Sequence, residues 1–166
     1  MKKTSRRKRI PPVEIIDFDA LWKDFITEFL AETTQATLPD LWELVDWSVN
    51  PEFLEQEFIN TLRGKFKIKD KRKHTDKLVK LRLLTGEDHY ILFHIEVQGA
   101  LELLFGKRMF MYKALSFLRY NTEEFTALTI FIAKPPDAVH LKYEHKKFGT
   151  TTTYEFNAYA IKSASN

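Results

Sequence analysis

Apolar and polar residues alternate most cleanly in two stretches, His74 to Leu84 (HTDKLVKLRLL) and His89 to Gly99 (HYILFHIEVQG). Side chains on a strand point to alternate faces, so a period of two predicts two strands. In the first, Val79, Leu81 and Leu83 share one face, and His74, Asp76, Leu78, Lys80 and Arg82 the other. In the second, Ile91, Phe93, Ile95 and Val97 oppose Leu92, His94, Glu96 and Gln98. Paired as a hairpin, the strands must put both apolar faces on one side. A slip of one residue would reverse one of them. A two-residue loop at Gly86-Glu87 would pair Asp76 with Val97 and fails this test. Two three-residue loops pass it. Thr85-Gly86-Glu87 pairs Asp76 with Glu96, and Gly86-Glu87-Asp88 pairs Asp76 with Gln98. Either register gathers Asp76, Glu96 and Gln98 on one face.

The rest of the chain is arranged around this hairpin. Asp17 to about Thr33 predicts an amphipathic helix, with Asp17 as its cap and Phe18, Leu21, Trp22, Phe25, Phe29 and Leu30 as its stripe. Leu38 to Trp47 predicts a shorter helix with Pro39 in its first turn, ended by Asn50-Pro51. Phe53 to Leu62 fits a helix or an edge strand, and strand is the reading adopted. Leu101 to Tyr120 is apolar nearly all round (Leu104, Phe105, Met109, Met111, Leu115, Leu118), which predicts a helix buried on more than one side. Thr126 to Ala133 is a short β-branched and aromatic run before Pro135-Pro136, which predicts a buried strand beside the hairpin. Val139 to Phe148 and Thr151 to Ile161 predict two more strands meeting near Gly149. The order predicts an α/β fold, a mixed central β-sheet flanked by helices.

Composition narrows the class. With 166 residues, 44% apolar and 30% charged, the chain suits one globular domain over residues 13–166 after a basic, disordered tail at residues 1–12. The SASN ending fits a natural tail or a truncation. There is no cysteine, hence no disulfide or thiolate metal site. No apolar run suits a membrane helix or secretory signal, so a cytoplasmic protein without a membrane partner is expected. Homodimerisation stays open.

The formal charge of +3 conceals an asymmetry. Six of the 26 bases (Lys2, Lys3, Arg6, Arg7, Lys8, Arg9) lie in the tail, leaving 20 against 23 acids. A second cluster comprises Arg63, Lys65, Lys67, Lys69, Lys71, Arg72 and Lys73, with Asp70 the only acid among them. Two basic patches on an acidic body suit a polyanion, although solvated runs of this kind also occur without a partner.

Asp76 and Glu96 on neighbouring strands are hard oxygen ligands of the type Mg²⁺ takes, and such an ion can activate water against a phosphodiester. The competing reading is a polar, wet sheet face. Asp76, the Glu96-Val97-Gln98 triplet, a helix and a buried strand together resemble the PD-(D/E)xK nuclease core. The match is closer to the recombination-promoting nucleases, a transposase-like family. The residues that carry it are Asp76-Lys77-Leu78-Val79, the HIEVQ phrase from His94 to Gln98, and R-M-F-x-Y from Arg108 to Tyr112. The resemblance spans about Phe18 to Ile161.

It implies a restriction-endonuclease-like core, DNA as partner, and Mg²⁺ (or Mn²⁺) held by Asp76 and Glu96. Gln98 stands where the wider superfamily has lysine. An amide can position water or a phosphate oxygen but carries no charge. Lys80, on the face of Asp76, is a candidate for that charge or a surface lysine. Arg108 and Tyr112, one helical turn apart, are candidates for substrate contact; their alternatives are a salt bridge and packing. Lys71, Arg72 and Lys73 are candidates for DNA contact. Glu57 is a further acidic ligand if its segment packs beside the hairpin, and otherwise a solvated carboxylate. His94 is a general base or a structural histidine. The implied function is a metal-dependent DNA endonuclease, and the alternative is a binding module of the same fold.

Overall fold

The computed structural model describes residues 18–54, 75–99, 104–132 and 141–161, with residues 18–20, 23, 75 and 76 described by their backbone alone. Three helices open the described chain: α1 (Phe18–Glu28), α2 (Leu30–Thr37) and α3 (Pro39–Leu44). Strand β1 (Glu52–Phe53) follows, then β2 (Thr75–Arg82), β3 (Tyr90–Gln98), α4 (Phe105–Tyr120) and β4 (Phe125–Phe131). Strands β5 (Lys142–Lys147), β6 (Thr150–Glu155) and β7 (Asn157–Ala160) complete it. The fold is α/β. Five strands form a mixed sheet in the order β1-β2-β3-β4-β7, and β5 and β6 form a separate antiparallel pair.

The hairpin adopts one of the two registers that hydrophobic pairing allows: Asp76 faces Glu96, and the ladder runs on to Arg82 opposite Tyr90. The turn is longer than three residues. The Leu83 N–H donates to the His89 carbonyl at 2.9 Å, leaving Leu84–Asp88 to reverse the chain. The register survives because the parity of the connection, not its length, decides which faces coincide. The strands are also shorter than their patterns, since Leu83 bridges to Val45 beyond the ladder.

Strand β4 lies parallel to β3 across the helical crossover, as its apolar run implied. One side of the sheet, Val79, Leu81, Phe93, Ile95, Val97, Leu128 and Ile130, packs on Ile26, Leu30 and Val45. The other, Leu78, Leu92, Ala127 and Phe131, packs on Phe105, Met109 and Tyr112 of α4. The sheet is thus sandwiched between the N-terminal helices and α4.

Four expectations need correction. The first helix is interrupted at Phe29, and its apolar stripe is wider than its buried one. Ile26 and Leu30 are buried, whereas Leu21, Phe25 and Phe29 are exposed. Phe25 and Phe29 line a groove of about 300 Å³ with Ile130, Tyr159 and Ile161. The second helix stops at Leu44, because Val45 turns extended to pair with Leu83. Helix α4 buries Phe105, Arg108, Met109, Tyr112 and Ser116, while Leu104 and Leu118 face solvent. The last predicted strand is two strands, β6 and β7, which join different sheets across Phe156.

Of the predicted strand Phe53 to Leu62, only Phe53 lies in a described strand, the edge strand β1 that pairs with β2; Leu54 follows it outside the strand, and residues 55–74 lie outside the described residues. So do residues 1–17, including the basic tail. Among the described residues, no helix is long and apolar enough to cross a membrane.

Candidate active site

Strand β3 is buried on both faces, so its polar face is not wet. His94, Glu96 and Gln98 lie under helix α4, each at most 1% exposed. The helix supplies the matching polarity from its own buried side. Arg108 and Tyr112, at i and i+4, project toward the sheet together. Arg108 Nη2 donates to Glu96 Oε1, and Gln98 Nε2 donates to the same oxygen. The Arg108 guanidinium also lies over the Phe105 ring, 5.1 Å from its centroid. One turn on, the Tyr112 ring packs on His94 with centroids 4.3 Å apart, and Phe125 adds a second ring contact to His94 at 6.4 Å. Arg108 beside residue 96 and Tyr112 beside residue 94 show that α4 runs back along β3.

Charge decides the energetics of this cluster. An isolated carboxylate in an apolar interior costs many kcal/mol, so a buried one needs a cation and hydrogen bonds. Arg108 supplies the cation and Gln98 a further N–H. The strand places Gln98 there because residues i and i+2 share a face. The helix places Arg108 there because the crossover returns it over the strand it left.

Asp76 enters from the neighbouring strand, with its backbone directly opposite Glu96. Directly opposed residues hold their Cβ atoms about 5 Å apart, a separation at which two carboxylates can share one ion. Thr129, on the other side, is the parallel partner of Glu96. It is fully buried, and its hydroxyl has no hydrogen-bond partner among the described residues. Sequence reading passed over Thr129, although a lone hydroxyl at the centre of the apolar run TALTIFIA was the available signal. Three adjacent strands thus contribute an Asp, a Glu with its Gln, and a Thr at one level of the sheet. Of these, Asp76 and Glu96 are the residues that could hold a hard cation, since carboxylate oxygens are the ligands Mg²⁺ and Mn²⁺ favour. Among the described residues, no three His, Cys, Asp or Glu side chains lie together.

Lys80 does not join the cluster. It lies four residues along β2 from Asp76, about 13 Å away. Its Nζ sits 3.5 Å from Glu52 Oε2 and 4.5 Å from the centre of the Tyr90 ring. The cation beside Glu96 is Arg108 instead. Arg108 makes a salt bridge to Glu96, Tyr112 packs on His94, and His94 is buried. Glu57, Lys71, Arg72 and Lys73 lie outside the described residues. Comparison with family models, curated proteins and solved structures finds no match to this chain.

Proposed function

We propose that this protein is a Mg²⁺-dependent DNA endonuclease of the PD-(D/E)xK type, close to the transposase-like recombination-promoting nucleases. In this reading its sheet is a restriction-endonuclease-like core. The observation that carries it is the placement of Asp76 opposite Glu96, with Gln98 and Arg108 bonded to the same glutamate oxygen. Asp76 and Glu96 hold the metal, which supplies Lewis acidity and an activated water when bound. Gln98 orients Glu96 and offers its amide to water or a phosphate oxygen. Arg108 supplies the positive charge that the glutamine lacks, next to where a phosphorane would develop charge. Lys71, Arg72, Lys73 and the basic tail hold the DNA backbone.

The test is nicking of supercoiled plasmid with Mg²⁺, Mn²⁺ or EDTA, using the wild type, Asp76→Ala and Glu96→Ala, with melting curves to check folding. Metal-dependent nicking lost in both folded variants is the expected result. Equal activity in all three proteins would overturn the metal assignment.

One observation favours a second reading, a DNA- or protein-binding module of the same fold. Glu96 is completely buried and already bonded to Arg108 and Gln98, as a purely structural ion pair would be. Binding without cleavage in any divalent metal would select it.

A further inference from the structure

The β5–β6 hairpin is held at one end and free at the other. Tyr143 stacks on Phe110 of α4 with centroids 5.1 Å apart, and Tyr154 packs on Phe110 and Phe156. Gly106 of α4 lets the backbone approach closely here, since a Cβ at that position would stand 2.5 Å from the Lys142 carbonyl oxygen. Beyond these anchors every residue from 144 to 151 is exposed, and the hairpin ends in Phe148-Gly149.

The tip residue is unusual on two counts. Phe148 is 95% exposed, so its ring gains almost nothing from packing. It also has φ of +49°, followed by Gly149 at +82°, which makes the two-residue connection a type I′ turn. Such turns favour Asn-Gly, and a bulky aromatic in the left-handed region is strained. Neither folding nor solubility explains a phenylalanine at this point. Its surroundings are cationic. Lys146 and Lys147 precede it, the Lys147 Nζ lies 5.2 Å from the ring centre, and residues 145–152 contain no acid. The hydroxyls of Thr150, Thr151 and Thr152 follow on the partner strand. Glu144, the nearest acid on β5, is paired with Lys142 at 2.9 Å.

We infer that the β5–β6 tip is a nucleic-acid contact, in which Phe148 stacks on an unpaired base while Lys146 and Lys147 hold the flanking phosphates. An exposed aromatic beside lysines is the combination that binds single strands without reading sequence, because every base has a π-face and every linkage a charge. The inference rests on the reading that DNA is the substrate, and it narrows that substrate to DNA with an unpaired segment, such as a gap, flap or branch.

The test uses the full chain in EDTA, with fluorescence anisotropy on a labelled single strand and on its duplex. Phe148→Asn is the informative variant, since it creates the favoured Asn-Gly turn. Its melting temperature should equal or exceed the wild type, while single-strand affinity falls roughly 10-fold or more. Lys146→Glu/Lys147→Glu should flatten the dependence of log affinity on log salt by up to about 1.4, at about 0.7 per lost phosphate contact. Wild-type affinity in Phe148→Asn would overturn the stacking role even if plasmid nicking is intact. Loss of binding in Phe148→Asn together with unaltered cleavage in Glu96→Ala would instead overturn the nuclease assignment and leave the tip contact standing. A wild-type chain that binds neither single strand nor duplex would overturn both.

Discussion

Replacing Arg108 by methionine removes the cation from the pair with Glu96 and changes little else in volume. The Arg108 side chain is 5% exposed and that of Glu96 0%, so water has no route to compensate the carboxylate in place. Breaking a buried pair from one side costs about 3–5 kcal/mol, because an uncompensated charge stays behind. Domains have only about 5–15 kcal/mol of stability, and for a chain of this size each kcal/mol moves the melting temperature by about 2–4 °C. Arg108→Met should therefore melt roughly 6–20 °C below the wild type. The double variant Glu96→Leu/Arg108→Met removes both charges and should recover most or all of that loss, since apolar replacements of buried ion pairs are often neutral or stabilising. Urea titrations followed by circular dichroism measure both. A single variant within about 1 kcal/mol of the wild type would refute the reasoning, since that is the size of an ordinary substitution. So would a double variant as unstable as the sum of its parts. The same proteins report on metal without any activity assay. If Asp76 and Glu96 bind Mg²⁺, saturating the wild type at about 100 times Kd adds about 2.7 kcal/mol, and the double variant gains nothing.

Gly106→Ala should destabilise by about 1–3 kcal/mol, because its methyl group meets the Lys142 carbonyl backbone; loss of near-ultraviolet signal from Tyr143 and Tyr154 would place the damage at the hairpin anchor. Asp46 holds Ser48 and Arg82, and these bonds keep its carboxyl below the usual range. Its contribution is therefore present at pH values well above the ordinary carboxyl value of 3.8 and is lost as pH falls through the lowered value, so melting curves of Asp46→Asn should be flatter than the wild type on the acid side, by about the loss of that one group. Gln98→Lys puts a second cation beside Arg108, and nicking should fall or stay level; a clear gain would show that Arg108 does not supply the charge, whereas rescue confined to an Arg108→Ala background would support its role.

What the sequence revealed of this fold follows from which signals are local. The hairpin register was legible to within two choices because alternation fixes the face of every residue, and Asp76 fell opposite Glu96 in one of them. Burial of that polar face was not legible. HIEVQ reads as a half-wet strand, and only the covering helix makes it buried on both sides. The helix misled for the same reason. Its apolar residues run almost all round, so composition hid the fact that Arg108, Tyr112 and Ser116 face inward while Leu104 and Leu118 face out. Lys80 shares the face of Asp76, as alternation implies, but its pairing with Glu52 depends on β1, a strand remote in sequence. The split at Phe156 depends on two partners, β5 and β4, that are remote in sequence or belong to another sheet.

The polar cluster bears on function through its cost. Three hydrogen-bonding side chains and two charges occupy a buried layer, where apolar residues of similar volume are often as stable or more so. Stability alone therefore gives no reason for Glu96, Gln98 and Arg108 to be there. Two explanations remain, and they differ in what Asp76 does. If the cluster serves only to fix the packing of α4 on the sheet, Arg108 and Glu96 form a closed pair, and Asp76 on the neighbouring strand is incidental. If it serves metal-assisted cleavage, Asp76 is half of the anionic pair, and Arg108 holds Glu96 until an ion competes for it. Only the second makes the removal of Asp76, a residue outside the Arg108–Glu96 bond, abolish both Mg²⁺-induced stabilisation and nicking while the metal-free melting temperature stays near that of the wild type.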